Sequence, residues 1–248
     1  MTEHGPGAFG AAHPDAAAVI MADGGVRISF RELDERSKRF AQLLRAAGLQ
    51  PGDHLANLLD NHPRCFEVFW GAQRAGLYTT PVNWHLKAAE AGYIIADCGA
   101  TALVTSAALG HIARQLDSDL GPSSVRLMID GTIDGYDSYE AAIARFPAVA
   151  LDDEVEGASM CYSSGTTRRP KDIKPSLTTS KARPPRCSPA TTSSPPERGR
   201  CAERSPPRGA HGLSAPRRRG PRDGAASGAG SARRRDRGAL RRWRSGRG

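Results

Sequence analysis

The stretch CYSSGTTRRPKD, residues 161–172, decides how the rest of the chain is read. It places Ser163, Ser164, Gly165, Thr166 and Thr167 ahead of Lys171, directly after the short apolar segment 158–162. That pattern reads as a strand running into a phosphate-gripping loop. Hydroxyls and a bare glycine backbone supply N–H and O–H donors, and a lysine supplies a mobile positive charge for terminal phosphates. As a bare motif it is weak, because no glycine precedes the lysine as it does in GxxxxGK[ST]. An ordinary polar turn would use the same residue types.

The chain upstream is patterned. The segment 16–22 is apolar, Asp23-Gly24-Gly25 has turn chemistry, and residues 26–29 alternate, which predicts a β-hairpin. Ser29 followed by Glu32 fits a capping box, and Leu33, Phe40, Leu43, Leu44 and Ala47 recur at helical spacing before Gly48. A helix over 30–47 follows. Strands are expected at 54–59, 78–82, 102–105 and 125–129. Helices are expected at 63–75, 87–96, 106–120 and 139–146. Strand and helix alternate repeatedly, the signature of an α/β domain with a parallel-rich sheet flanked by helices.

Charge divides the chain. Residues 1–160 carry 12 Lys/Arg against 21 Asp/Glu, a net of −9, whereas 161–248 carry 23 against 5, a net of +18. Residues 173–248 contain 18 Arg and 10 each of Pro, Gly, Ala and Ser, but only seven of Val, Ile, Leu, Met, Phe, Trp, Tyr or Cys. So little apolar surface cannot offset the entropy of ordering, and the segment reads as disordered. Arg, Pro, Gly and Ala, whose codons begin with two G or C bases, fill 48 of its 76 positions. Out-of-frame translation of a GC-rich gene, entered near residues 175–182, would leave this composition. The competing reading is a genuine arginine-rich tail. Its runs at 216–220, 232–237 and 241–244 would attract polyanions non-specifically by counterion release. Trp243, its only aromatic, makes no stacking platform of the kind RNA-binding modules use.

The five cysteines form no CxxC pair, which favours reduced thiols over zinc or disulfides. No apolar run approaches a membrane span, and the N-terminus lacks a signal-peptide pattern. The expectation is a cytoplasmic protein. His54, His62, His85 and His111 are isolated in sequence, and Asp152-Asp153-Glu154 reads as a solvated approach to the loop strand. Trp70, Tyr78 and Trp84 read as core or interface aromatics.

Four stretches together resemble the adenylate-forming (AMP-binding) enzymes, and among them the acyl-CoA synthetases or fatty-acid–CoA ligases. They are ISFRELDERSKRFAQLLRAAGLQPGDHLANLLDNH (28–62), FWGAQRAGLYTTPVNWHL (69–86), AGYIIADCGATALVTS (91–106) and YSSGTTRRPK (162–171). The last is similar to that family's phosphate loop, Ser/Thr-Ser/Thr-Gly-Thr-Thr-Gly-x-Pro-Lys-Gly. The resemblance implies the N-terminal part of the family's α/β fold over residues 15–177, between a flexible 1–14 and the tail 178–248. It implies that Ser163, Ser164, Gly165, Thr166, Thr167 and Lys171 bind nucleotide phosphates. It further implies ATP with Mg2+, a fatty or other carboxylic acid, and coenzyme A as co-substrate. The family reaction makes an acyl-adenylate and pyrophosphate, then an acyl-CoA.

Arg168 and Asp172 depart from that pattern, standing where glycines are usual. If those positions require positive φ, each side chain costs about 1–2 kcal/mol of backbone strain. The 248 residues contain no Tyr-x-x-Thr-Glu segment for adenine and magnesium, and no domain bearing the family's adenylation lysine. No catalytic residue is therefore assigned, and the expectation is a truncated ligase-like chain without turnover. The alternative is an arginine-tailed binding protein with non-specific nucleic-acid affinity.

Overall fold

The computed structural model describes residues 6–22, 25–116, 121, 125–163 and 171–177. Of the candidate loop, Ser163 and Lys171 fall among these. Ser164, Gly165, Thr166, Thr167 and Arg168 lie outside the described residues, as does the tail 178–248.

The opening hairpin pairs β1 (Ala17–Ile20) with β2 (Arg27–Ser29), antiparallel as the turn chemistry requires. Helix α2 (Phe30–Ala46) then starts at Ser29, whose hydroxyl accepts from the Glu32 N–H while the Glu32 carboxylate accepts from the Ser29 N–H. Two otherwise orphaned donors are satisfied at once, and Gly48, with φ at 90°, turns the chain out of the helix.

The central sheet runs in the order β7 (Asp137–Ser138), β6 (Val125–Ile129), β5 (Ala102–Ser106), β3 (His54–Leu58), β4 (Tyr78–Pro81), β8 (Ala158–Ser159), with every pair parallel. From β3 the chain crosses through α3 (Cys65–Arg74) to β4 on one side. It then crosses through α4 (Ala88–Asp97) to β5 on the other. Crossovers of one hand that travel in opposite directions put their helices on opposite faces.

The core accordingly has two halves. On one face Phe40, Leu43 and Leu44 of α2, Val68 and Ala72 of α3, and Tyr139 and Ile143 of α6 (Tyr139–Ile143) cover Leu55, Val104 and Leu127. On the other, Ile94 and Ile95 of α4 cover Ala56, Leu58, Leu103 and Met128. Every residue of β3, β5 and β6 is buried, as expected for a sheet covered on both sides.

Several expectations needed correction. Residues 6–12, within the stretch expected to be flexible, form helix α1 (Pro6–Ala12), and Phe9 packs on Phe30 with ring centroids 4.6 Å apart. Helix α3 begins at Cys65 rather than Pro63. Of the helix expected over 106–120, the described residues form a 3₁₀ turn (Ala107–Leu109) and the short α5 (Gly110–Ala113), Ser106 being drawn into β5 by pairing with Ile129, and residues 117–120 lie outside the described residues. Helix α6 ends at Ile143 rather than 146.

Candidate functional site

The chain leaves β8 beside Tyr78 and Thr79, the first two residues of β4. It continues into β9 (Cys161–Ser163), which abandons the main sheet and pairs antiparallel with β10 (Lys171–Ile173). Lys171 lies opposite Ser163, Asp172 opposite Tyr162, and Ile173 opposite Cys161. The Ser163 hydroxyl donates to the Lys171 carbonyl at 3.3 Å. The two ends of the candidate loop are thereby clamped together, and the Lys171 side chain remains exposed to solvent. This brings together two of the six residues singled out from sequence; the other four lie between them, outside the described residues.

Asp172 does not carry the strain expected of it. Among the described residues with a side chain only Asp130 has positive φ, at 60°, and Asp172 sits in extended backbone within the hairpin. Pairing with Tyr162 supplies a strand geometry that any residue adopts. Its carboxylate next to Lys171 remains the electrostatic feature that distinguishes this loop.

Contacts on both sides of the hairpin hold it to the domain. The Met160 N–H donates to the Thr79 carbonyl at 2.9 Å, and the Tyr162 hydroxyl donates to the Asp97 carboxylate at 2.7 Å. Burial, and then that hydrogen bond to the anion, push the Tyr162 phenol above its ordinary value. Downstream, the Tyr78 hydroxyl donates to the Pro175 carbonyl at 2.8 Å, and Lys174 Nζ lies 2.9 Å from His54 Nε2 and 4.3 Å from the Tyr78 ring centre. Sequence reasoning passed over Asp97 and Lys174, since neither belongs to a motif. Only the folded chain brings them beside 162 and 54.

Two other readings change. His62 is not isolated: its Nδ1 accepts from the Arg64 N–H at 3.2 Å, so its Nε2–H donates to Asp130 at 2.9 Å. The acidic run 152–154 is not uniformly solvated. Asp153 pairs with Arg45 at 3.3 Å, and Glu154, only 14% exposed, pairs with Arg74 at 2.8 Å. Among the described residues no group of three or more His, Cys, Asp or Glu could hold a metal ion, and no helix is long and apolar enough to cross a membrane.

Comparison with known proteins gives a consistent result. The model of the AMP-binding enzyme family matches residues 8–174. The feruloyl-CoA synthase of an Amycolatopsis species is 33% identical over 160 residues, covering 64% of this chain and 30% of that protein. The crotonobetaine/carnitine–CoA ligase of Citrobacter koseri is 30% identical over 164 residues, 61% of this chain and 31% of that protein. The anthranilate CoA ligase AuaEII, solved in complex with anthranoyl-AMP, superposes with a TM-score of 0.57 at 23% identity over 65% of this chain and 32% of its own, a likeness of fold. The chain thus spans about a third of the length of the curated relatives it matches.

Proposed function

Since the chain belongs to the AMP-binding enzyme family, we propose that residues 163–171 are its nucleotide-phosphate loop, in a ligase-like chain that does not complete acyl-CoA formation by itself. The observation that carries this reading is the clamp between β9 and β10, which sets Ser163 and Lys171 opposite each other. Ser163 and Lys171 bring a hydroxyl and an ammonium to the ends of the stretch, and Ser164, Gly165, Thr166 and Thr167 supply further hydroxyl and N–H donors by residue type. The ligand that fits is the β,γ-diphosphate portion of ATP.

In the complete family reaction ATP and a carboxylic acid give an acyl-adenylate and pyrophosphate, and coenzyme A then takes the acyl group. In that reaction the loop steadies the departing diphosphate while the carboxylate attacks the α-phosphorus. The relatives named above act on aromatic, betaine and other acids, so the acyl substrate is assigned here only as a carboxylic acid. A fatty acid is one candidate. No described residue is assigned to Mg2+, which the nucleotide would bring on its own phosphates.

The test is direct. The full chain is titrated with Mg–ATP and with pyrophosphate by calorimetry, and acyl-CoA formation is assayed with a panel of acids. Binding of both anions, weakened about tenfold or more in Lys171→Met, with no acyl-CoA produced, is the expected result. No binding of either anion overturns the loop assignment, and ATP-dependent acyl-CoA formation overturns the lack of turnover.

A second reading rests on the net charge of +18 over residues 161–248. Polyanion binding by that segment would weaken steeply with salt, without sequence preference. Binding that persists after deletion of residues 178–248 sinks it.

A further inference from the structure

Cys65 is the first residue of α3, a free thiol half-buried against the core cluster that contains Leu55, Leu59 and Val68. The side chain of Asn57, in β3, meets it there: Asn57 Nδ2 donates to the Cys65 Sγ at 3.3 Å. Asn57 is only 6% exposed, and its Oδ1 has no hydrogen-bond partner among the described residues. A buried carbonyl oxygen with nothing to accept from is uncommon and costly. Turning the amide over only exchanges which half is stranded, since the NH2 group would then take the place of the oxygen.

We infer that Cys65 is a site of oxidation by hydrogen peroxide, and that Asn57 holds the resulting sulfenic acid. A carboxamide carries an N–H and a C=O side by side. A sulfenic acid carries a sulfur acceptor and an O–H donor side by side, so the two groups fit each other with two hydrogen bonds. The reduced thiol engages only the N–H half of the amide.

The chemistry balances with peroxide as the oxidant. The Cys65 sulfur, its proton given up to solvent, attacks one peroxide oxygen. The S–O bond forms as the O–O bond breaks, and sulfur loses two electrons to the peroxide. The departing hydroxide takes up the proton that the thiol released and leaves as water. The new O–H donates to Asn57 Oδ1, while Nδ2–H stays on the sulfur.

Position preserves that product. Half-burial admits a molecule as small as hydrogen peroxide and hinders a larger thiol that would convert the sulfenic acid to a disulfide. The other described cysteines belong to the opposite side of the sheet. Cys98 closes α4, and Cys161 precedes Tyr162, which bonds to Asp97 at the end of that same helix. Burial pushes the Cys98 thiol up, which keeps it unreactive, and Cys161 is exposed. No residue of 163–171 takes part, so the site stands apart from the phosphate-loop reading.

The experiment treats the reduced full chain with hydrogen peroxide and then removes the oxidant with catalase. After a series of delays with glutathione present, samples are quenched in denaturant containing dimedone, which traps sulfenic acid as a thioether. Peptide mass spectrometry reads each cysteine. The sulfenic acid at Cys65 is expected to outlast that at Cys161 about tenfold, with Cys98 unlabelled. Asn57→Leu keeps a similar volume and removes both halves of the amide. It should shorten the Cys65 lifetime about tenfold and leave Cys161 unchanged. Labelling of Cys98 reports any variant that fails to fold, and Asn57→Ala, which introduces no bulk, then repeats the test.

No trapped sulfenic acid at Cys65 in the unaltered chain, or one no longer-lived than at Cys161, overturns the site. An undiminished lifetime in an Asn57 variant whose Cys98 stays protected overturns the role of the amide. No nucleotide enters the measurement, so its failure is distinguishable from failure of the phosphate-loop assignment.

Discussion

The guanidinium of Arg74 is the busiest buried charge among the described residues, and replacing it tests how the domain holds the segment leading to the hairpin. Arg74 sits in α3 with its side chain only 8% exposed. Its Nε donates to the Ser37 hydroxyl at 3.1 Å, its Nη1 to Glu154 at 2.8 Å, and its Nη2 to Asp34. One side chain thus ties α2, α3 and the 151–156 connection together. Arg74→Met keeps most of the volume and removes the charge, leaving two carboxylates, 17% and 14% exposed, without it.

Breaking a buried ion pair from one side costs about 3–5 kcal/mol. Asp34 retains Lys38 at 2.6 Å, which places the expected loss at the lower end, about 3 kcal/mol. With a urea dependence of about 2 kcal/mol per molar, the unfolding midpoint should fall by about 1.5 M. Tryptophan fluorescence reports it, since Trp70 lies in the same helix. Adding Asp34→Asn and Glu154→Gln to Arg74→Met should recover part of the loss, because the two carboxylates that faced the guanidinium are then neutral. A midpoint shift under about 0.3 M, or a triple variant less stable than Arg74→Met, would refute the account.

Two further outcomes follow from local geometry. A Cβ on Gly71 would stand 2.6 Å from Phe40 Cδ1 and 3.0 Å from the Ser37 carbonyl oxygen, so Gly71→Ala should destabilise by about 1–3 kcal/mol in the same urea assay. Gly110→Ala, with no atom nearer than 3.9 Å, should be neutral or slightly stabilising. The Glu32 carboxyl is held below its ordinary value, first by the hydrogen bond from the Ser29 N–H and then by that from the Ser29 hydroxyl. A lowered folded-state value means stability present above the unfolded value of 4.5 and lost as pH falls through the folded one. Glu32→Gln should therefore flatten the acid limb of the stability–pH curve below about pH 4.5, and an unchanged limb would contradict this.

How much of this was legible beforehand depended on whether the signal was local. The capping box at Ser29 and Glu32 lies within one helical turn, and its geometry is set by backbone positions three residues apart. It was therefore readable, as were the apolar period of α2 and the strand at 125–129. The strand read from the apolar segment 158–162 is present, divided into β8 and β9. The two-residue strand β7 was not readable, because nothing in Asp137–Ser138 marks a strand; it exists because β6 offers unpaired backbone groups. The same holds for the end of β5. Ser106 looks like the start of a helix until pairing with Ile129 claims it.

The candidate site divides in the same way. Residue types and order along 161–172 were enough to suggest a phosphate loop, since the chemistry of hydroxyl, glycine and lysine is carried by the residues themselves. The strain expected at Asp172 was a statement about backbone angle, and pairing across the hairpin decides that angle. The buried status of His54, Glu67 and Arg74 was equally invisible, because the chain reads as polar at each of those positions.

The sequence by itself determined the alternation of strands and helices, the capped helix α2 and the chemistry available to the loop, all set by neighbours a few residues apart. Only the tertiary structure decided the sheet order, the closing of β9 on β10, and the meeting of Lys174 with His54 across 120 residues of chain. Those depend on which surfaces remain unpaired after the local elements have formed, and no short window of residues contains that information.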